Sequence, residues 1–188
     1  MNLIIFGPPG AGKGTQSNFI AKSFNLFQLS TGEILREQIK KKTDLGAKIS
    51  PVINSGSFVS DEIVSDLIEK VIKDKKYNNR IIFDGYPRSL VQAKNLDILL
   101  NKYHQKISIV LKLSVSLETI KKRISERRTI EKRPDDNEEI AIKRYQTYEK
   151  STEPVIEYYK RLNLLKVIDG ERSIDQINKE ISDIINII

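Results

Sequence analysis

Short apolar runs alternate along the chain with segments of helical spacing. The runs are rich in β-branched residues and cover residues 3–6, 27–29, 80–83, 107–113 and 164–168. Each is followed by a stretch with an apolar position every three or four residues, as in Ile63, Val64, Leu67, Ile68, Val71 and Ile72. Runs without polar alternation are typical of strands buried on both faces. The pattern predicts an α/β fold, a three-layer sandwich whose central sheet has five parallel strands.

Helix boundaries are marked by capping residues. Three pairs with the spacing of a capping box predict helix starts: Ser30 with Glu33, Asp135 with Glu138, and Ser173 with Gln176. Pro154 is expected to kink or split the helical segment 135–162. Since ligands of parallel sheets bind at the carboxyl ends of the strands, the loops that follow the strands carry the candidate chemistry.

Composition excludes several classes of site. The 188 residues include no cysteine and one histidine, His104, so a thiolate zinc site, a disulfide framework or a Ser/His/Asp triad is not expected. No run approaches the roughly 18 apolar residues of a membrane span, and the first residues do not read as a secretory signal or a transit peptide. We therefore expect a cytoplasmic protein without membrane contacts.

The net charge of +7 suggests an anionic partner, although lysines spread through the whole chain are equally consistent with a compositional bias. The arginines are more informative, because a guanidinium binds phosphate oxygens bidentately.

The first predicted strand runs into Gly-Pro-Pro-Gly-Ala-Gly-Lys-Gly-Thr, residues 7–15, and then into a helix. Glycines in this order let backbone N–H groups converge on a phosphate, and Lys13 reaches its outer oxygens. Gly14 separates Lys13 from Thr15, whereas the general phosphate-binding loop has Ser or Thr directly after the lysine. This departure disfavours a generic GTPase or ATPase and indicates a sub-family.

The third predicted strand ends in Asp-Gly-Tyr-Pro-Arg, residues 84–88. The sequence is compatible with an ordinary turn, but it lies at the same sheet edge as the phosphate-binding loop. There Asp84 is suited to hold Mg²⁺ through water, and Arg88 is suited to bind a second phosphate.

In combination with three further segments, these motifs resemble the nucleoside monophosphate kinases, and adenylate kinases most closely. The further segments are Leu-Ser-Thr-Gly-Glu-Ile-Leu-Arg at 29–36, Arg-Ile-Ser-Glu-Arg at 123–127, and Arg-Pro-Asp-Asp at 133–136 followed by Arg144. The resemblance covers nearly the whole chain. It implies reversible transfer of the terminal phosphoryl group of Mg-ATP to AMP, giving two ADP by direct in-line transfer, and a role in adenine nucleotide homeostasis.

The resemblance also assigns roles to matching positions. Catalysis would depend on Lys13, Asp84, Arg88, Arg123, Arg133 and Arg144. ATP would be held by Gly10, Ala11, Gly12, Lys13, Gly14, Thr15, Arg123, Arg127 and Gly170. AMP would be held by Thr31, Arg36, Ser57, Phe58, Val59, Gly85, Tyr86, Pro87, Arg88, Gln92, Arg133 and Arg144. Mg²⁺ would be bound through water near Asp84 and Thr15, with no direct protein ligand and no structural zinc.

The same resemblance divides the domain. The core would comprise 1–29, 60–125 and 135–188, with a small helical insertion for the monophosphate at 30–59 and a short lid loop at 126–134. Only five residues separate Arg127 from Arg133, too few for a folded or zinc-bearing lid. We expect the lid to close over the phosphates and exclude water. The expected partners are ATP, AMP and ADP, bound by a monomer without nucleic acid.

Two alternatives stay open. A uridylate/cytidylate kinase is disfavoured by Thr31 and Ser89, since those enzymes resemble one another in having Ala and Asn there. A glutamine amide such as that of Gln92 complements the adenine edge. A nucleic-acid-binding ATPase or P-loop switch is suggested by the basic charge alone.

Overall fold

The structure, a computed structural model of the chain, describes residues 1–131 and 137–188. Its strands are β1 (Asn2–Phe6), β2 (Phe27–Ser30), β3 (Ile81–Asp84), β4 (Ile107–Ser114) and β5 (Leu165–Asp169). They form one parallel sheet in the order β2-β3-β1-β4-β5. The predicted α/β class and the five-stranded parallel sheet are therefore confirmed.

Helices connect successive strands. In the described residues they are α1 (Lys13–Ser23), α2 (Thr31–Lys40), α3 (Asp44–Asn54), α4 (Asp61–Lys73), α5 (Leu90–Lys102), α6 (Leu117–Glu131), α7 (Glu138–Arg161) and α8 (Ile174–Ile185), with a 3₁₀ turn at Lys75–Tyr77. No helix in these residues is long and apolar enough to cross a membrane.

The hydrophobic core has one part on each face of the sheet. Along β1, Ile4 and Phe6 pack into the part covered by α4, α5 and α7, whereas Leu3 and Ile5 pack into the part covered by α1 and α8. Alternate side chains of a strand point to opposite faces, so a strand buried on both sides carries no polar position between apolar ones. This burial explains the continuous apolar runs in the sequence.

Several predicted helix boundaries agree with the structure. The Ser30 hydroxyl accepts a hydrogen bond from the N–H of Glu33 (3.4 Å), and Ser173 with Gln176 forms a reciprocal capping box. Pro154 lies inside α7, which is not split.

The predicted cap of α7 was wrong. Asp135 lies outside the described residues, and the side chain that caps α7 is Asn137, which accepts from the N–H groups of Glu139 (2.8 Å) and Ile140 (3.3 Å). Asn and Asp are equally good caps, so the local sequence did not rank these two positions.

The predicted lid segment 126–134 also differs from a simple loop. Helix α6 continues to Glu131, so Arg127 lies on a helix, while the remaining residues of the segment lie outside the described residues. The Arg and Glu residues at 126–128 are good helix formers and extend α6 past the predicted boundary.

Helices α2 and α3 form a hairpin with very close backbone contact. The Thr43 hydroxyl caps α3 by accepting from the N–H of Gly46 (3.0 Å). A Cβ atom added to Gly46 would lie 2.2 Å from the carbonyl oxygen of Gln38, well inside van der Waals contact. The hairpin therefore requires glycine at this crossing.

Replacing Gly46 with alanine is expected to destabilise the protein by about 1–3 kcal/mol, because the two helices must move apart. Urea denaturation measures the change, with Lys48→Ala on the exposed side of α3 as a control expected to stay within about 0.5 kcal/mol of the parent. An unchanged unfolding midpoint for Gly46→Ala would show that the hairpin is loosely packed.

Candidate active site

The loop between β1 and α1 has the backbone conformation of a phosphate cradle. Gly10 (φ 86°) and Gly12 (φ 91°) adopt left-handed conformations that other residues rarely take, and Gly12 is the N-cap of α1. The N–H of Ala11 donates to the carbonyl of Pro8 (3.1 Å), which closes the turn. The helix N-terminus that follows supplies the partial positive charge that favours an anion.

Lys13 lies over this loop. Its ammonium donates to the carbonyl oxygens of Gly7 (2.7 Å) and Pro8 (3.0 Å). Removal from water lowers the pKa of Lys13 to about 8; the carboxylate of Asp84 opposes this shift, and Arg88, Arg144 and Arg127 add to it. Asp84, Arg88, Arg127 and Arg144 are therefore all close enough to interact electrostatically with Lys13.

Asp84 is the last residue of β3 and is 6% exposed. Its register partners are Ile5 on β1 and Ser30 on β2, which sets the carboxylate beside the phosphate-binding loop. The side-chain amide of Gln28 donates to Oδ2 of Asp84 (3.2 Å) and orients it. Gln28 was not predictable as a site residue, because its role depends on the pairing of β2 with β3.

Arg88 is fixed from two sides. Its Nε donates to the carbonyl of Gly85 (2.6 Å), and its guanidinium lies over the ring of Phe58, 4.6 Å from the centroid. Removal from water lowers its pKa to about 10, with further lowering by Arg144 and Arg36 and a counteracting effect of Asp84. The guanidinium is preoriented, and its neighbours destabilise its charged form. A bound phosphate would stabilise that form, so Arg88 is well suited to bind one.

Helix α7 brings Arg144 to the same place from the distant end of the chain. The Arg144 side chain lies against Gly56, where an added Cβ would lie 3.3 Å from its Cγ. Nearby, the Lys143 ammonium donates to the carbonyl of Ser55 (2.9 Å). The loop after α3 is therefore in contact with α7 above the sheet.

Two neighbouring cavities adjoin these residues. The residues that line the larger cavity include Lys13, Phe58, Arg88, Arg144 and Tyr148. The smaller cavity is lined by Thr31, Leu35, Phe58, Val59, Val64, Gly85, Tyr86, Arg88 and Gln92. Phe58, Gly85 and Arg88 line both cavities, so the cavity lined by cations adjoins the one lined mostly by apolar residues.

The smaller cavity contains the residues predicted to select the base. The Thr31 hydroxyl donates to the carbonyl of Gly85 (3.1 Å), and Gln92 is 4% exposed. Gly32 lies against Arg36, since an added Cβ would lie 3.1 Å from Nη1 of that arginine. Ser57, predicted to flank the base, is exposed, and its hydroxyl accepts from that of Ser55 (3.0 Å).

Arg123 does not line either cavity. It donates from Nη2 to the carbonyl of Gly170 (2.9 Å) and from Nη1 to that of Ala11 (3.4 Å). The side chain thus joins the phosphate-binding loop to the loop after β5. Its predicted direct contact with ATP stays a prediction, and Arg133 lies outside the described residues.

Tyr148 and Thr152 were not predicted as site residues. They lie one and two turns after Arg144 on α7 and line the larger cavity, and both hydroxyl oxygens are buried without a hydrogen-bond partner in the described structure. Burial raises the pKa of Tyr148, which stays a neutral donor. The sequence does not single out Tyr148, because helical spacing alone does not distinguish a cavity wall from a packed core.

Comparisons with known proteins identify the family of the chain. The family model described as adenylate kinase matches residues 5–164. The chain belongs to the adenylate kinase family. An adenylate kinase of Pelagibacter ubique (strain HTCC1062) is 46% identical over an alignment of 213 positions that covers all of both chains. One of Caulobacter sp. (strain K31) is 39% identical over 188 residues, again all of both chains, and one of Archaeoglobus fulgidus is 35% identical over 98% of each.

Membership of the adenylate kinase family establishes the activity that the motifs indicated. The enzyme catalyses reversible phosphoryl transfer from ATP to AMP to give two ADP, and so contributes to nucleotide homeostasis. The predicted classification as a nucleotide-binding phosphotransferase is confirmed.

The affinity for Mg-ATP is expected to fall as the pH rises through about 8, where Lys13 loses its proton in the unliganded enzyme. Only the ammonium pairs with phosphate, and nucleotide phosphates are fully ionised above about pH 7. Calorimetry in buffers of different ionisation enthalpy should therefore show proton uptake on binding above pH 8. In Lys13→Arg the uptake should vanish, since a guanidinium stays protonated; uptake retained in this variant would assign the titration to another group.

Proposed function

We propose that the reaction proceeds by direct in-line transfer in the larger cavity, with no protein group bonded to phosphorus. The observation that carries the proposal is the convergence of Lys13, Arg88 and Arg144 on one cavity that adjoins a second cavity lined mostly by apolar residues. A phosphate oxygen of AMP forms the new bond to the γ-phosphorus of ATP while the bond to the β-phosphate oxygen breaks, and ADP leaves. Such a transition state needs alignment and distributed positive charge.

The smaller cavity is proposed as the acceptor site. Arg88 and Arg36 bind the AMP phosphate, while Thr31 and Gln92 contact the base between the apolar side chains of Val59, Val64 and Leu35. Arg36 lowers the pKa of Arg88, and this repulsion supports the assignment because an anion bound between two cations relieves it.

The phosphate-binding loop is proposed as the donor site. Backbone N–H groups of residues 10–15 hold the ATP phosphates, with Lys13 on the outer oxygens. Arg123 holds the loop around Gly170 against Ala11, which supports a base site at Gly170. Arg127 lies close enough to Lys13 to lower its pKa and is proposed to bind the same phosphates.

Magnesium is proposed to bind with ATP through water held by Asp84 and Thr15. A single buried carboxylate oriented by Gln28, together with a hydroxyl in the first turn of α1, fits a hard cation that retains most of its water. The bound ion would neutralise phosphate charge and orient the oxygens.

Two segments are proposed to close over the nucleotides: the α2–α3 insertion at 30–59 and the lid at 126–134. Contacts of Gly56 and Ser55 with α7 support the first assignment. Closure would exclude water, which otherwise competes for the γ-phosphoryl group. The monomeric state, the cytoplasmic location and the absence of membrane or nucleic-acid partners stay predictions.

A coupled assay with AMP, CMP and UMP in parallel tests the acceptor site. AMP should be preferred by about 100-fold in kcat/KM, because a pyrimidine held by the same phosphate contacts is one ring too short to reach Gln92. ATP hydrolysis without acceptor should be far slower than transfer. Equal turnover of CMP and AMP would refute the assignment of Gln92 to the base.

Replacing Arg88 with lysine should preserve the fold and lower kcat/KM for AMP by about 100-fold. Lysine keeps the charge but loses the bidentate geometry and the contact of the guanidinium plane with Phe58. Steady-state kinetics and a thermal melt measure the two effects, with Arg80→Lys at the opposite end of β3 as a control of the same chemistry. A kcat/KM for AMP within threefold of the parent value would refute the assignment of Arg88 to the AMP phosphate.

A further inference from the structure

Gln92 is held by two groups that differ in hydrogen-bonding character. Its Oε1 accepts from the backbone N–H of Arg88 (2.7 Å), and its Nε2 donates to the carboxylate of Asp61. Asp61 is the first residue of α4, and its side chain reaches Gln92 from outside the smaller cavity, whose lining includes Gln92.

These two partners fix the orientation of the Gln92 side-chain amide, that is, the positions of its oxygen and its nitrogen. A carboxylate only accepts hydrogen bonds, and a backbone N–H only donates. Reversing the amide would set N–H against N–H at Arg88 and oxygen against oxygen at Asp61. Because Gln92 is 4% exposed, water does not compensate for either mismatch.

The orientation decides what the amide offers to a base. A primary amide has two N–H donors and two acceptor lone pairs, so one donor and one acceptor remain after Arg88 and Asp61 are satisfied. Adenine presents an acceptor at N1 and a donor at its 6-amino group, which match this pair. Hypoxanthine and guanine present a donor at N1 and an acceptor at their 6-oxo group, which match only a reversed amide.

We propose that Asp61 is a positioning residue for base selection: by fixing the amide of Gln92, it makes the acceptor site discriminate 6-aminopurine from 6-oxopurine monophosphates. This inference deepens the proposed function and rests on the assignment of Gln92 to the base. Size cannot provide this discrimination, because AMP and IMP occupy nearly the same volume.

The test uses Asp61→Asn, an isosteric change whose own amide turns to meet Gln92 in either orientation. The ratio of kcat/KM for IMP to that for AMP should rise about tenfold, since one of the two orienting bonds no longer opposes reversal. The kcat/KM for AMP should stay within about threefold, and the KM for ATP should not change. A loss of general structure would instead lower both acceptors together and move the KM for ATP.

Glu62→Gln is the matched control. Glu62 lies next to Asp61 in the first turn of α4, so its replacement removes the same charge near the same helix terminus. The IMP/AMP ratio should stay at the parent value in this variant. A rise equal to that of Asp61→Asn would overturn the inference, because the effect would then follow from helix charge.

Gln92→Leu tests the assignment of Gln92 to the base independently of the role of Asp61. If this variant loses the preference for AMP over IMP while Asp61→Asn keeps the parent ratio, the base site stands and the role of Asp61 is refuted. If Gln92→Leu keeps the preference, both the assignment of Gln92 and the inference are refuted. Thermal melts of all three variants establish that each is folded.

Discussion

Several cations share one poorly solvated cleft, and this crowding governs the site. Lys13 and Arg88 both have pKa values lowered by removal from water, and neighbouring arginines lower them further. Like charges are held together by backbone carbonyls of Gly7, Pro8 and Gly85 and by the carboxylate of Asp84. In the proposed site, nucleotide phosphates would relieve this repulsion, so part of the free energy spent on assembling the cations would be recovered on binding.

The sheet explains how such a cluster is assembled from distant parts of the chain. Parallel strands β1 and β3 are neighbours, so the phosphate-binding loop and Asp84 emerge at one edge. Arg144 arrives on α7, which packs on one face of the sheet through Val155, Ile156 and Tyr159. Apolar burial thus sets the positions of charges that would otherwise separate.

Much of this arrangement was predictable from the sequence, because the strands are continuous apolar runs and the phosphate-binding loop has a glycine pattern with few structural alternatives. The contacts of Gln28, Asp61 and Tyr148 were not predictable, since each depends on which elements become neighbours. Arg123 shows the same limit: its motif was recognised, but its bonds to Ala11 and Gly170 arise from the packing of α6 between two loops. The cap of α7 was missed because Asp135 and Asn137 are chemically equivalent candidates.

The hydrogen bonds of Arg123 couple the loop after β5 to the phosphate-binding loop. One guanidinium links carbonyls that are far apart in the chain, so a shift of the loop after β5 is transmitted to the turn before α1. In the proposed donor site, a loop graft at 169–172 from a relative would therefore alter the contacts at both ends of the bound ATP, and engineering of base preference there would have to preserve the position of the Gly170 carbonyl.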